Sequence, residues 1–131
     1  MQHRVLLVSD HLVLEYDALA NYLHAIWGRE QTLATIQAGY EQIISALQRE
    51  HCHRLLDNHR AIHGIWTDLA DWVSQDWYPR AQRAGLEVHA IVFATDYFGR
   101  RSTEEALKRV AGGAIAGFED VDTALRALLV I

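Results

Sequence analysis

The segment LEVHAIVFA, residues 86–94, is the strongest indicator of fold class in this sequence. Residues 91–93 are apolar in succession, without the alternation typical of a strand that has one face in water. A strand that is covered on both faces has this pattern, so residues 86–94 are predicted to form a central strand parallel to a neighbour. Parallel neighbours need crossover helices, so the segment indicates an α/β protein.

Three short strands are predicted upstream, before the first helix. Residues 5–8 form an apolar run, residues 12–16 alternate with a period of two, and residues 22–27 form a third strand that ends at Gly28. Strands so close in sequence pair antiparallel, as a meander.

Helices and strands are predicted to alternate over the rest of the chain. Thr32 is the expected N-cap of a first helix that ends near His51, and a strand follows over residues 53–58. A second helix begins near residues 66–67 and ends before Gly85, and Pro79 predicts a kink around residues 76–78.

Two further helices are predicted near the carboxyl end. Ser102 and Glu105 match a capping box at the start of the third, and the loop from Thr95 to Arg101 is expected to precede it. A short strand over residues 114–118 and a helix capped by Asp120 complete the order.

This order predicts one domain over residues 1–131, with a mixed sheet of about six strands and about four helices packed on it. The chain has 131 residues, half of them hydrophobic, and a formal net charge of -5 with dispersed basic residues, which argues against a nucleic-acid partner. A single cysteine excludes an intramolecular disulfide. No signal peptide and no membrane span are predicted, and a cytoplasmic location is expected.

Several short segments resemble a known family. The chain is similar to STAS-like domains, and more closely to the small bacterial proteins described as STAS/CRAL-TRIO-like or SpoIIAA-like. The segments that carry this resemblance cover nearly the whole chain: LLDN at 55–58, GIW at 64–66, ADWV at 70–73, WYPR at 77–80, AGL at 84–86 and YF at 97–98. The resemblance implies a STAS (SpoIIAA)-like α/β fold.

The resemblance also implies a recognition function. Regulatory STAS domains bind partner proteins through a loop and helix start that carry a phosphorylated serine. The corresponding residues 57–64 read DNHRAIHG and contain no serine, which argues against a phosphorylation switch here. CRAL-TRIO relatives hold lipids in an apolar pocket, so a lipid or acyl-ligand carrier is an alternative.

A ligand site is expected beyond the carboxyl ends of the parallel strands, as in other open sheets. The loops that start at Asn58 and Thr95 leave such ends. The sequence predicts a non-enzymatic binding or regulatory module that recognises a protein partner or a small apolar ligand there. A homodimer through an aromatic or apolar helix face is a further expectation. The predicted site residues are Asn58, His59, Trp66, Asp96, Tyr97, Phe98 and Arg100. Whether the aromatic residues among them belong to the site or the core is left open.

A small metal-dependent or cysteine hydrolase is the alternative from the enzyme class. It would use Cys52, Asp57, His59 and His63, because thiolate, carboxylate and imidazole suit both metal binding and nucleophilic catalysis. It requires these side chains to converge, yet successive strand residues point to opposite faces. The sequence therefore predicts no catalytic residue, metal ligand or cofactor, and a buried cysteine.

Overall fold

A six-stranded mixed sheet runs through the protein in the order β1 to β6 in the computed structural model, which describes residues 3–110 and 113–130. Strands β1 to β3 pair antiparallel, and β3 to β6 pair parallel. The α/β class and the mixed sheet are as predicted. The strands are β1 (His3–Val8), β2 (Leu12–Asp17), β3 (Tyr22–Trp27), β4 (Arg54–Asn58), β5 (Val88–Val92) and β6 (Ala114–Phe118).

Helices cover both faces of this sheet. One face carries α1 (Leu33–Glu50), a continuous helical segment over residues 67–83 and α4 (Tyr97–Arg109), and the other carries α5 (Val121–Leu129). The continuous segment consists of a 3-10 turn (Thr67–Leu69), α2 (Ala70–Trp72), a π-helical turn (Val73–Trp77) and α3 (Tyr78–Arg83). If this segment counts as one helix, the described residues form the four helices that the sequence predicted.

Two hydrophobic cores lie on the two faces, because neighbouring strand residues point in opposite directions. In β4, Leu55 packs into the larger core beneath α1, whereas Leu56 packs into the smaller core beneath α5. Strand β5 has a parallel neighbour on each side, which explains why residues 90–92 are apolar in succession.

The predicted capping box at Ser102 and Glu105 is wrong. Helix α4 starts six residues earlier, with Asp96 as its N-cap, and the Asp96 carboxylate accepts from the backbone N–H of Gly99 at 3.0 Å. Ser102 lies inside the helix, where its hydroxyl donates to the carbonyl of Phe98 at 3.0 Å. Residues 97–101 are therefore the first turn of a helix and not a loop.

The irregularity predicted at Pro79 is a π-helical turn just before it. The backbone N–H of Tyr78 donates to the carbonyl of Val73, five residues back. Proline has no N–H to donate, so the wider turn changes the hydrogen bonding of the preceding carbonyls without ending the helix.

Helix α1 approaches the sheet closely at Gly39, and this approach positions the Tyr40 side chain. A Cβ atom at Gly39 would lie 2.5 Å from the ring of Trp27, so only glycine lets the helix pack this near. The neighbouring residue, Tyr40, then stands against Trp27, with ring centroids 5.0 Å apart.

Candidate functional site

A carboxylate is fully buried in the middle of the sheet. Asp57 of β4 accepts hydrogen bonds from Trp27 Nε1 at 2.7 Å and from the Tyr40 hydroxyl at 2.8 Å. His89 Nε2 lies 2.9 Å from Asp57 Oδ2, and His59 Nε2 lies 3.2 Å from Asp57 Oδ1. All lone pairs that Asp57 presents to the core are thus matched by donors, as a buried charge requires.

His59 connects this carboxylate to α4. Its Nδ1 lies 2.8 Å from the Thr103 hydroxyl, which donates to the Gly99 carbonyl. Its Nε2 lies 2.9 Å from the Tyr40 hydroxyl, which donates to Asp57. Each ring nitrogen of His59 therefore has a hydroxyl partner, and the imidazole links the buried carboxylate to α4.

The environment of Asp57 keeps it ionised. Burial alone raises its pKa, but the charge of His59 and the hydrogen bonds from His59 and His89 outweigh burial and hold the pKa well below its ordinary value. We call this cluster the buried network. Its members are the side chains of Trp27, Tyr40, Asp57, His59, His89 and Thr103.

A small cavity adjoins the buried network. Its volume is about 10 Å³, room for about one water molecule, and its lining includes Trp66 and His89. Trp66 Nε1 and His89 Nδ1 are both buried and find no hydrogen-bond partner among the described residues. This cavity is too small for an acyl chain.

The two predicted loops meet at the carboxyl end of the parallel strands. The backbone N–H of Thr95 donates to the Arg60 carbonyl at 3.4 Å, and the N–H of Gly64 donates to Asp96 Oδ2 at 3.1 Å. Hydrogen bonds from the N–H groups of Gly99 and Gly64, together with the nearby His63, lower the pKa of Asp96. Asp96 therefore both caps α4 and holds the preceding loop against it.

The predicted aromatic residues separate into two groups. Trp66 is buried, with its ring centroid 5.7 Å from that of His59, so neither reaches the surface. Tyr97 and Phe98 are 67% and 54% exposed and lie edge to face, 5.3 Å apart. Ile65 is also exposed, and both of its chain neighbours bond to α4 or its cap: the Gly64 N–H donates to Asp96, and the Trp66 N–H donates to the Ser102 hydroxyl. We call Ile65, Tyr97 and Phe98 the aromatic patch.

The two remaining predicted residues are engaged within the protein. Arg100 makes a bidentate ion pair with Glu119, with two distances of 2.8 Å, and its guanidinium lies over the Phe93 ring. The Asn58 side chain accepts from the backbone N–H of Arg60 and lies 3.3 Å from His24 Nε2. Arg100 is half-buried beside the patch, whereas Asn58 faces the other side of the sheet.

The side chains of the hydrolase alternative do not all converge. Asp57 and His59 meet in the interior, but Cys52 precedes β4 and donates to the Arg54 carbonyl at 3.3 Å. Burial raises the pKa of the Cys52 thiol, which disfavours the reactive thiolate. His63 is exposed and lies 3.8 Å from Asp96. In the part of the chain that the structure describes, no group of three histidine, cysteine or acidic side chains is placed to hold a metal ion.

Sequence reasoning missed Trp27, Tyr40 and His89 as partners of Asp57. The available signal was the position of two polar residues inside apolar strands: Asp57 in LLDN, and His89 in LEVHAIVFA. A charged residue in a buried strand needs a buried polar partner, so Asp57 and His89 could each have been predicted to have one.

Comparisons of this chain with protein-family models, curated proteins and solved structures find no match. Among residues 3–110 and 113–130, none of the helices combines the length and the apolar character needed to cross a bilayer.

Two tryptophans provide a matched pair for testing the buried network. Trp27→Phe leaves a buried Asp57 oxygen without its indole donor, whereas Trp66→Phe removes an indole N–H that has no hydrogen-bond partner within residues 3–110 and 113–130. Because both indoles are buried, the loss of volume is the same, and Trp27→Phe should lower the free energy of unfolding by about 1–3 kcal/mol more. Urea denaturation of both variants measures this difference, and equal losses would contradict the assigned role of Trp27.

Proposed function

We propose that this chain is a non-enzymatic STAS-like binding or regulatory module that recognises a protein partner through the aromatic patch. The observation that carries the proposal is the exposure of two adjacent aromatic rings, Tyr97 and Phe98, on the first turn of a capped helix. A cytoplasmic location, as expected from the sequence, belongs to the same proposal.

The chemistry of the patch suits protein recognition. Aromatic side chains that become buried on binding carry much of the binding energy at protein interfaces, and charged or polar residues usually surround them. Here Asp96 and Arg100 flank the two rings, and His63 lies beside Asp96. The patch thus combines an apolar centre with a polar rim.

The buried network supports the patch from below. His59 reaches Thr103 of α4 through its Nδ1, while Asp57 fixes His59 from the sheet. Because α4 is tied to the sheet through Thr103 and to the preceding loop through Gly64, the backbone that carries the two rings loses little freedom on binding, which favours affinity. In this proposal Asp57 and His59 position the patch and contact no ligand.

The carrier alternative would need a cavity that accepts an acyl chain. The cavity beside Trp66 and His89 has room for about one water molecule, so the interior around the buried network favours a surface site over an enclosed one.

Site-specific photo-crosslinking tests the proposal. A benzophenone amino acid is placed at Phe98 or, as a control, at Leu19, an exposed apolar residue in the β2–β3 turn. We expect a specific crosslinked protein from position 98 and not from position 19. Equal crosslinking at both positions, or none at position 98, contradicts the proposal.

The captured partner is then purified and its affinity measured by calorimetry. The double variant Tyr97→Ala/Phe98→Ala should bind at least about tenfold more weakly, since interface aromatics are typical hot spots. Its thermal unfolding should match that of the unmodified chain because both rings are exposed. An unchanged affinity would exclude the aromatic patch as the recognition surface.

A further inference from the structure

Strand β6 is an edge strand that lacks the features that usually prevent pairing with a strand of another chain. Among the described residues it pairs with β5 alone, so one side of its backbone has no strand partner. Its sequence, AIAGF, contains no charged residue and no proline, and its register with β5 is continuous. The opposite edge, β1, begins with His3 and Arg4 and has a register shift between Val5 and Leu7. Charges and bulges of this kind block edge pairing, and β6 has neither.

An apolar groove follows β6 on the face that carries α5. Its volume is about 200 Å³, and it lies between the strand and the end of the helix. Ala114 and Ala116 are exposed within it because α5 packs mainly over β4 and β5. The residues that define it are Val88, Ala114, Ala116, Phe118, Ala127 and Leu128.

We propose that β6 pairs antiparallel with β6 of a second copy of this chain, centred on Ala116. This register places Phe118 of one copy opposite Ala114 of the other, and Ile115 opposite Gly117. Phe118 of the second copy therefore occupies the groove beside the small residue Ala114, and Ile115 meets the Phe93 ring that covers Gly117 in each copy. The five residues of β6 are thus complementary to themselves.

Symmetry favours a second copy over other extended segments. Antiparallel pairing of identical strands is a twofold, closed arrangement, and it satisfies the free edge of both copies at once. Pairing β6 with β1 of another copy would leave an edge open at each end, and the charges and bulge of β1 oppose it.

The dimer goes beyond the proposed function and does not depend on it. Because the two β6 strands run in opposite directions, the carboxyl ends of the two sets of parallel strands lie at opposite ends of the joined sheet. The two aromatic patches therefore face away from each other, and one dimer can engage two partners.

Cysteine crosslinking at the centre of the predicted pairing is the direct test. In antiparallel pairs, facing Cα atoms lie about 4.5–5.5 Å apart, within the range of about 4.4–6.8 Å that a disulfide spans. Ala116→Cys in the full chain, oxidised with copper phenanthroline, should give a reducible dimer in high yield. Leu19→Cys is the exposed control and should remain mostly monomeric, and Cys52 is buried.

Sedimentation equilibrium on the unmodified chain tests the association without a covalent crosslink. We expect about twice the chain mass of 14.9 kDa, and Ala116→Lys should return the monomer because two like charges would face each other at the twofold axis. Circular dichroism should show that this exposed substitution leaves the fold intact. An unmodified chain that is monomeric, or a dimer that persists in Ala116→Lys, overturns the proposal, and the second result points to a helix face instead.

Discussion

Replacing Asp57 with asparagine is expected to lower the free energy of unfolding by about 3–5 kcal/mol. An amide keeps the shape of the carboxylate but turns one acceptor oxygen into a donor. That donor would face Trp27 Nε1 and His59 on one side, or Tyr40 and His89 on the other. The substitution also removes the buried negative charge that His59 and His89 contact, and the loss of this buried partner is the larger part of the cost.

Urea denaturation monitored by tryptophan fluorescence measures this loss. Asp10→Asn is the matched control, since Asp10 is exposed in the β1–β2 turn and should change the free energy of unfolding by less than about 0.5 kcal/mol. If Asp57→Asn is as stable as Asp10→Asn, the buried network does not hold the fold together, and its proposed support of α4 fails with it.

Acid should destabilise the unmodified chain more steeply than it destabilises Asp57→Asn. The pKa of Asp57 is held well below its ordinary value in the fold, so the unfolded chain binds the proton first as pH falls. The stabilisation from ionised Asp57 is complete above the unfolded pKa of about 3.9 and is lost as pH falls from there toward the folded pKa.

The experiment compares the free energy of unfolding of both chains from neutral pH down to about pH 3. For each extra proton that the unfolded chain binds, this free energy falls by up to about 1.4 kcal/mol per pH unit. Other carboxylates with lowered pKa values, such as Asp96 and Asp120, contribute to both profiles and cancel in the difference. The difference in the free energy of unfolding between the unmodified chain and Asp57→Asn should decrease below about pH 4. Parallel profiles would show that Asp57 is not ionised in the fold.

These two experiments bear on the function as well as on stability. The buried network lies between the sheet and α4, and α4 carries Tyr97 and Phe98. A chain with a weakened network should therefore lose order at the aromatic patch before it loses the sheet, because His59 contacts Thr103, which in turn bonds to the Gly99 carbonyl in the first turn of α4.

Much of the fold could be predicted from local sequence. The alternation in residues 12–16 predicted a strand with one face in the core, and the unbroken apolar residues 91–93 predicted a strand covered on both faces. Thr32 and Gly85 marked a helix start and a helix end, and both are confirmed, with Gly85 at a φ of 117°. The start of α4 was misplaced because Ser102 and Asp96 both precede plausible first turns, and capping preference alone does not choose between them.

The contact between the two loops could be predicted from the sequence, but the burial of their side chains could not. The meeting of the loops after β4 and β5 follows from parallel strands, whose carboxyl ends share one edge of the sheet. Sequence could not separate buried Trp66 from exposed Tyr97 and Phe98, because the three aromatic side chains have similar apolar character.

Local patterns in this chain specify its strands, most helix ends and the change from antiparallel to parallel pairing, because propensity and periodicity act over a few neighbouring residues. The surroundings of Asp57 come from β3, α1, β5 and the loop after β4, and only the packing of these elements brings them together. Burial and partnership are properties of long-range contacts, so the assembled fold alone decides which polar residue is a buried charge and which aromatic ring faces the solvent.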